Sequence, residues 1–236
     1  MALVDSSLYQ KALDGIENWL CSLGLARSQT WEGLLKQPVR FLYAGRLRRG
    51  LPQYSSHYGI TPYFMSSRNI LHDVTKAYPI PSNSIDRYQS EDVFEHVPLD
   101  AMISMLEEIH RILKPGGLFR LSLPDYNFDG YRERSVTNAC GDIVFDPGGK
   151  GQFVDGKVID GGHLWFPTIE MVQDLVEKSS FRGSVSYLHY SDSHGHHTMN
   201  PIDYSLGHIQ RTPDHDDRVM DRPRPISIVV DLIKNG

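Results

Sequence analysis

Four short stretches of the chain carry residue types that could do chemistry. Leu118 to Leu123 is an apolar run that stops on Pro124 and then delivers a carboxylate, Asp125. His163 follows Gly161 and Gly162, and two glycines allow the backbone to approach a ligand closely. An imidazole with a free pKa of about 6.5 could act there as general base toward a hydroxyl acceptor. It could equally order its own loop by bonding a backbone carbonyl. Glu95 and His96 stand at a helix start, where the helix dipole stabilises a negative charge whether or not the pair has a task. The fourth stretch holds His189, Asp192, His194, His196 and His197, with His215, Asp216 and Asp217 following. These are suitable ligand types, but no zinc-enzyme spacing is present, so a polar loop is expected and no metal.

The elements that must position these groups follow from spacing. Residues 5–24 pattern as an amphipathic helix, with Leu8, Ala12, Ile16, Trp19, Leu20 and Leu23 recurring at helical intervals and Gly24 ending it. Residues 39–45 read as a short strand breaking at a glycine, and 46–68 as loop with at most one helical turn. A second strand covers 69–74, and a third covers 85–90. Helix 100–113 comes next, with Met102, Leu106, Ile109 and Leu113 on its inner side. Lys114 suits its negative end, Pro115 disfavours continuation, and Gly116 with Gly117 supply a left-handed cap before the strand 118–123. Thr168 caps a helix to about Ser180, and strands follow at 184–191 and 226–233. Strands alternating with helices predict a mostly parallel sheet. Strand 118–123 should pair with 85–90 in parallel. The irregular stretches 125–167 and 192–225 exceed ordinary loop length, and both are expected at one carboxyl-end crevice as the substrate side.

Length and composition set the frame. The 236 residues suit a single α/β domain, 1–236, with an N-terminal helical extension over 1–36. A net charge of -5 argues against a general nucleic-acid binder. Two cysteines, Cys21 and Cys140, without ligand spacing suit a reducing compartment. No apolar run has the length of a membrane span, and acidic Asp5 precedes any basic residue, unlike a secretion signal. A cytoplasmic protein is expected, without a membrane partner.

Residues 73–125 resemble the central part of class I S-adenosylmethionine (SAM) dependent methyltransferases, in the manner of the small, divergent bacterial members. The resemblance lies in an ordered set: Asp73 after a strand, a Pro-rich turn, "ID" opening the next strand, "VFEHV", and "EEIHRILKPGG" before another strand. The later "GGHLWFPTIEMVQDLVEKSSF" is similar to a further segment of the same enzymes. This implies a Rossmann-like fold with helices on both faces and an antiparallel last strand. It also implies SAM as cofactor, and methyl transfer to an oxygen or nitrogen of a small molecule or glycan. Ala44, Gly45, Arg46, Asp73, Val74, Ser90, Glu91, Asp92 and His96 fall at the cofactor-binding positions, and His163 and Asp125 at the catalytic side. The glycine-rich loop is reduced to "LYAGRLRRG", with Tyr43 near the expected acid and Arg46, Arg48 or Arg49 available to a cofactor carboxylate. From Gly33 to His72 there is no Asp or Glu to hold a ribose, and the first crossover is short. The aromatic-rich segment with Tyr54, Tyr58, Tyr63 and Phe64 could stack on an adenine. The N-terminal helix needs a partner surface and could serve a homodimer. The alternative is a fold that has lost SAM and works as a binding protein or as a repurposed, metal-using enzyme through the histidine loop.

Overall fold

The computed structural model describes residues 6–47 and 52–236. Arg48, Arg49 and Gly50, and the side chain of Leu8, lie outside the described residues. In chain order the elements are α1 (Ser6–Ser22), α2 (Trp31–Leu35), β1 (Phe41–Ala44), β2 (His57–Thr61), β3 (Asn69–Leu71), β4 (Ile85–Glu91), α3 (Met102–Ile112) and β5 (Leu113–Pro124). There follow α4 (Asp129–Arg134), β6 (Val136–Thr137), β7 (Ile143–Phe145), β8 (Gln152–Val154), β9 (Lys157–Ile159), α5 (Ile169–Glu177), β10 (Val185–Ser191), β11 (His197–Met199) and β12 (Ser227–Ile233).

One eight-stranded sheet carries the molecule, in the order β11-β10-β12-β5-β4-β1-β2-β3. Strands β3, β2, β1, β4 and β5 run parallel, and β12 lies antiparallel between β5 and β10. The expected parallel pairing of β4 with β5 is present, Tyr88 facing Phe119 and Ser90 facing Leu121. Because β5 is enclosed by β4 and β12, Leu118, Phe119, Leu121 and Leu123 are all buried, as its apolar run demands. The polar exception is Arg120, whose guanidinium takes Asp231 of β12 at 2.8 and 2.7 Å and donates to the carbonyls of Asp203 and Gly207. That buried ion pair fastens the loop after β11 to the middle of the sheet. The turn into β5 bulges outward: Ile85 faces Leu113, but Arg87 already faces Leu118. Gly116 sits at φ 75° and donates to Lys234, which explains the glycines of that turn.

Helix α3 buries Met102, Met105, Leu106, Ile109 and Ile112, and α5 buries Ile169, Val172, Leu175 and Val176, each at the 3–4 residue interval of one helical face. The end of α5 is tied to α3 by Ser180, whose backbone N–H and hydroxyl both donate to Glu107.

The first half of the sheet is built differently. Among the described residues, β1 and β2 are joined through one 3-10 turn, Pro52–Tyr54, and β2 and β3 through residues 62–68 without a helix. Expected helical cover on both faces is therefore reduced here, and strand β2, read from sequence as loop, is present. Its "HYGIT" has no alternation of apolar and polar residues. In place of a crossover helix, Asn69 clasps the loop: it accepts from Leu47 N at 2.8 Å, and donates to Leu47 O at 3.0 Å and Ser66 Oγ at 2.7 Å. A Cβ on Gly59 would lie 2.2 Å from Asn69 Oδ1 and 2.6 Å from Gly45 O, so this clasp requires glycine. Helix α1 then docks through polar residues. Asp14 pairs with Arg46 at 3.1 Å, Glu17 accepts from Ser67 N and Oγ, and Asn18 accepts from Met65 N. Ile16, Trp19 and Leu23 of its apolar stripe are exposed.

His57 on β2 is 4% exposed, between the rings of Phe41 and Tyr54, and neither ring nitrogen has a partner. Burial, reinforced by Arg87 and Arg68, pushes its pKa down to about 4. The folded chain thus takes up this proton less readily than the unfolded chain, whose imidazole titrates at about 6.5. Stability contributed above that value is lost as the pH falls toward 4. The substitution His57→Phe removes the titration and keeps the ring packing. Urea denaturation should show the variant gaining about 2 kcal/mol on wild type between pH 7.5 and pH 5. Parallel pH profiles for the two proteins would contradict this.

Candidate active site

The carboxyl ends of the parallel strands share one edge, and the loops leaving them enclose a cavity of about 530 Å³. Gly45 and Arg46 enter it from β1, Thr61, Pro62 and Tyr63 from β2, Asp73 and Val74 from beyond β3, and Asp92, Val93 and His96 from beyond β4. Lys150 and Gly161 close it from the long loop after β5. Six of the residues expected at a cofactor therefore converge: Gly45, Arg46, Asp73, Val74, Asp92 and His96. Ala44 and Ser90 are wholly buried behind them. Glu91 borders a neighbouring cavity of about 320 Å³ with Tyr43, Tyr54 and Arg211. There it accepts from the backbone N–H groups of Gln210 and Arg211, holding that segment over the strand end. Burial and the adjacent Asp92 push the Glu91 carboxyl up to about 7.

The cavity fits SAM in size and in chemistry. Its volume lies in the range of small-molecule sites. Two polar atoms of its lining, Thr61 Oγ1 and Asp92 Oδ1, are buried without any partner, a state that a polar ligand would relieve. Thr61 occupies the end of β2, where the missing ribose acid would stand. Gly45 has φ 118°, and a Cβ there would lie 3.2 Å from the Tyr43 ring, so this position needs glycine for its backbone as well as for ligand access. Arg46 is anchored, with its guanidinium 3.7 Å from the centre of the Phe64 ring and paired to Asp14. Asp73 accepts from the N–H and hydroxyl of Thr75, which hold its carboxyl below the usual range. Tyr63 is 78% exposed at the rim, whereas Tyr54 and Phe64 are buried packing residues.

Behind His96 lies a second convergence. The segment after Gly161-Gly162 is stapled to the turn after β4: Leu164 N donates to Glu95 O at 2.8 Å, and Trp165 Nε1 to Phe94 O at 2.9 Å. These bonds bring His163 Nε2 to 3.6 Å and His96 Nε2 to 3.8 Å from the Glu95 carboxylate. Glu95 is fully buried, and burial followed by the charge of Asp92 pushes its carboxyl upward. His163 Nδ1 lies 2.6 Å from Tyr126 Oη, which donates to Asp146, itself paired with Arg134. Burial lowers the His163 pKa to about 4, and His96 is lowered for the same reason, so both rings are neutral at pH 7. Sequence reading singled out Glu95-His96 and His163 separately. The backbone closure that joins them across the chain has no local signal.

The other candidates are placed elsewhere. Asp125 is fully buried, and its two oxygens accept from Ser191 N at 2.6 Å and Asn127 N at 2.9 Å. It ties the end of β10 to the end of β5. Burial pushes its carboxyl up to about 6 against those two donors. The histidine loop forms the β10–β11 hairpin, where His196 pairs with Asp192, His197 meets Ser191, and His189 bonds Asn200 O. Among the described residues, the only His, Cys, Asp or Glu group with metal-ligand proximity is Glu95, His96 and His163. A wide cleft of about 1100 Å³ runs along α4 and α5, lined by Tyr126, Ile143, Phe166 and Glu170 from one long loop and its surroundings and by Ser193 from the other.

Residues 57–121 match the family model of a methyltransferase domain. The matched residues carry β2, β3, β4, α3 and most of β5. Solved structures are similar to the chain at low identity. A SAM-dependent methyltransferase from Methanosarcina mazei is 13% identical, with 83% of this chain and 92% of that chain covered at a TM-score of 0.48. A SAM-dependent methyltransferase from Archaeoglobus fulgidus is 12% identical, with coverage of 98% and 100% at 0.48. The Haemonchus contortus phosphoethanolamine N-methyltransferase 2, solved with phosphomonomethylethanolamine and S-adenosylhomocysteine, is 16% identical over 76% of this chain and 44% of that one, at 0.41. No curated protein matches the chain. No helix of the described residues is long and apolar enough to cross a membrane.

The bonds of Asp125 generate a test. Asp125→Ala leaves two backbone N–H groups without their acceptor and should cost about 2–4 kcal/mol in urea denaturation. A variant of unchanged stability that is nonetheless inactive would assign Asp125 to the chemistry instead.

Proposed function

We propose that the chain transfers the SAM methyl group to an oxygen or nitrogen of a small molecule or glycan, with the cofactor in the 530 Å³ cavity and the acceptor on the side built by 125–167 and 192–225. The carrying observation is that residues from three separate strand ends, expected at the cofactor on motif alone, line one cavity with unpartnered polar atoms in its wall. Bound SAM supplies an electrophilic methyl on a sulfonium, which needs an in-line nucleophile.

The chain's own residues do the positioning, where orientation alone can supply several kcal/mol of the barrier. Asp73 and Val74 stand where an adenosine would lie, and Tyr63 offers a ring face to its base. Thr61 Oγ1 takes a ribose hydroxyl in place of the absent carboxylate. The Gly45 backbone admits the amino-acid end. His96 stands at the cavity wall, with the buried His163 behind it. The exposed Ile16, Trp19 and Leu23 stripe of α1 supports a second copy of the chain as its partner surface.

Calorimetric titration with S-adenosylhomocysteine tests the assignment. Wild type should bind with a Kd of roughly 1–100 μM. Tyr63→Ala should weaken binding about tenfold, the loss of one stacked base, without lowering the melting temperature. A folded wild type that binds neither SAM nor S-adenosylhomocysteine at millimolar concentration would overturn the reading and favour a repurposed fold.

A further inference from the structure

Glu95, His96 and His163 form an arrangement that the methyl-transfer reading does not use in full. Three hydrogen-bond acceptors face one another there. His163 Nδ1 is engaged by Tyr126 Oη at 2.6 Å, and that hydroxyl donates onward to Asp146. The Nδ1 proton therefore sits on that side of the ring, and the Nε2 lone pair is turned to Glu95. His96 is fixed in the same way, with Nδ1 at 3.2 Å from the Gly162 carbonyl, an acceptor only. Its Nε2 also faces the carboxylate. Both Glu95 oxygens are buried and accept no hydrogen bond. The separations of 3.6 and 3.8 Å are too long for a shared proton, which would draw the atoms to about 2.6–3.0 Å.

A buried carboxyl group whose oxygens have no hydrogen-bond partner is costly. A cation between the three atoms would give each of them a partner, and the ligand atoms all lie within 4.8 Å of one another. Around a metal with bonds of about 2.1 Å, ligand atoms stand roughly 3.0–3.4 Å apart, so a small inward movement closes the set. The supporting bonds match what metal sites require: each ring is oriented through its other nitrogen, one by a carbonyl and one by a hydroxyl–carboxylate pair. Gly149 completes the cradle, because a Cβ there would lie 2.7–2.8 Å from the His163 ring.

We propose that Glu95, His96 and His163 hold a divalent first-row transition-metal ion whose open positions face the cavity and receive the acceptor's oxygen. Two imidazoles and one carboxylate suit zinc, iron, cobalt or manganese rather than calcium or magnesium. The inference rests on the methyltransferase reading for its acceptor, and it narrows that acceptor to a hydroxyl compound. On the metal the hydroxyl loses its proton to solvent. An oxygen lone pair then forms the bond to the methyl carbon of SAM, and the carbon–sulfur bond breaks with its electron pair returning to sulfur.

The test uses tag-free, chelator-stripped full-length protein titrated with cobalt(II) chloride, followed by visible absorption, and with zinc chloride, followed by melting temperature. One equivalent should bind wild type and raise its melting temperature. Glu95→Gln and His163→Gln should each weaken binding at least tenfold, and Gly149→Ala should weaken it by displacing the ring. His194→Ala and His196→Ala, on the exposed hairpin, should bind as wild type does. Metal-free Glu95→Gln should melt no lower than metal-free wild type, which separates lost binding from lost folding. Absence of saturable one-equivalent binding to folded wild type overturns the proposal, as does binding that survives Glu95→Gln and disappears in His194→Ala. Binding of S-adenosylhomocysteine to metal-free protein is measured alongside, so failure of the metal site and failure of the cofactor site give different results.

Discussion

A carboxylate with no exposed surface and no hydrogen-bond donor is the constraint around which this molecule is arranged. Glu95 sits on the short 3-10 turn that follows β4, and the backbone of that same turn receives Leu164 and Trp165 from a segment about seventy residues later. The strap excludes water from the carboxylate and also delivers His163 to it. Tyr126, Asp146 and Arg134 hold the imidazole from behind. Removing water from a polar group without giving it a hydrogen-bond partner has a cost that folding alone does not require, and natural cores seldom retain such a group without a use. The turn also carries His96 into the cavity wall.

The other half of the sheet shows how much of a nucleotide-binding fold can be cut away. Crossover helices usually cover the strands and point their N-termini at the ligand. Between β1, β2 and β3 that cover is replaced by side-chain hydrogen bonds: Asn69 on Leu47, Glu17 on Ser67, Asn18 on Met65, Asp14 on Arg46. Each satisfies backbone or charged groups that a helix would have satisfied within itself. The cavity there keeps Gly45 at the end of β1 and Thr61 at the end of β2, and on the proposed reading the Thr61 hydroxyl takes the place of a ribose-binding carboxylate.

Much of this was legible in the sequence. The α3–β5 unit, the capping role of Thr168 and the last two long strands follow from periodicity and turn chemistry, which are local. Cavity residues from three strand ends were reached through motif order. Strand β2 escaped because Gly59 in "HYGIT" is dictated by the approach of Asn69 and Gly45, not by an alternating pattern. Helix α1 misled for the opposite reason: its apolar stripe is clear, yet Asp14, Glu17 and Asn18 make the contacts. Asp125 looked chemical because it ends an apolar strand, and its carboxylate accepts from two backbone amides, that of nearby Asn127 and that of Ser191 on a distant strand. The approach of His163 to Glu95 depends on loop closure over a long separation, which no local pattern encodes.

The central claim is that the cofactor's reactive end lies against His96, the member of the Glu95–His96–His163 cluster that lines the cavity. A crystal structure of the protein with S-adenosylhomocysteine bound tests it most directly. The account predicts the adenosine between Tyr63 and Asp73, the amino-acid end beside Gly45, and the sulfur directed at His96. Ligand density in the cleft between α4 and α5, or a sulfur turned away from His96 toward β3, would contradict it.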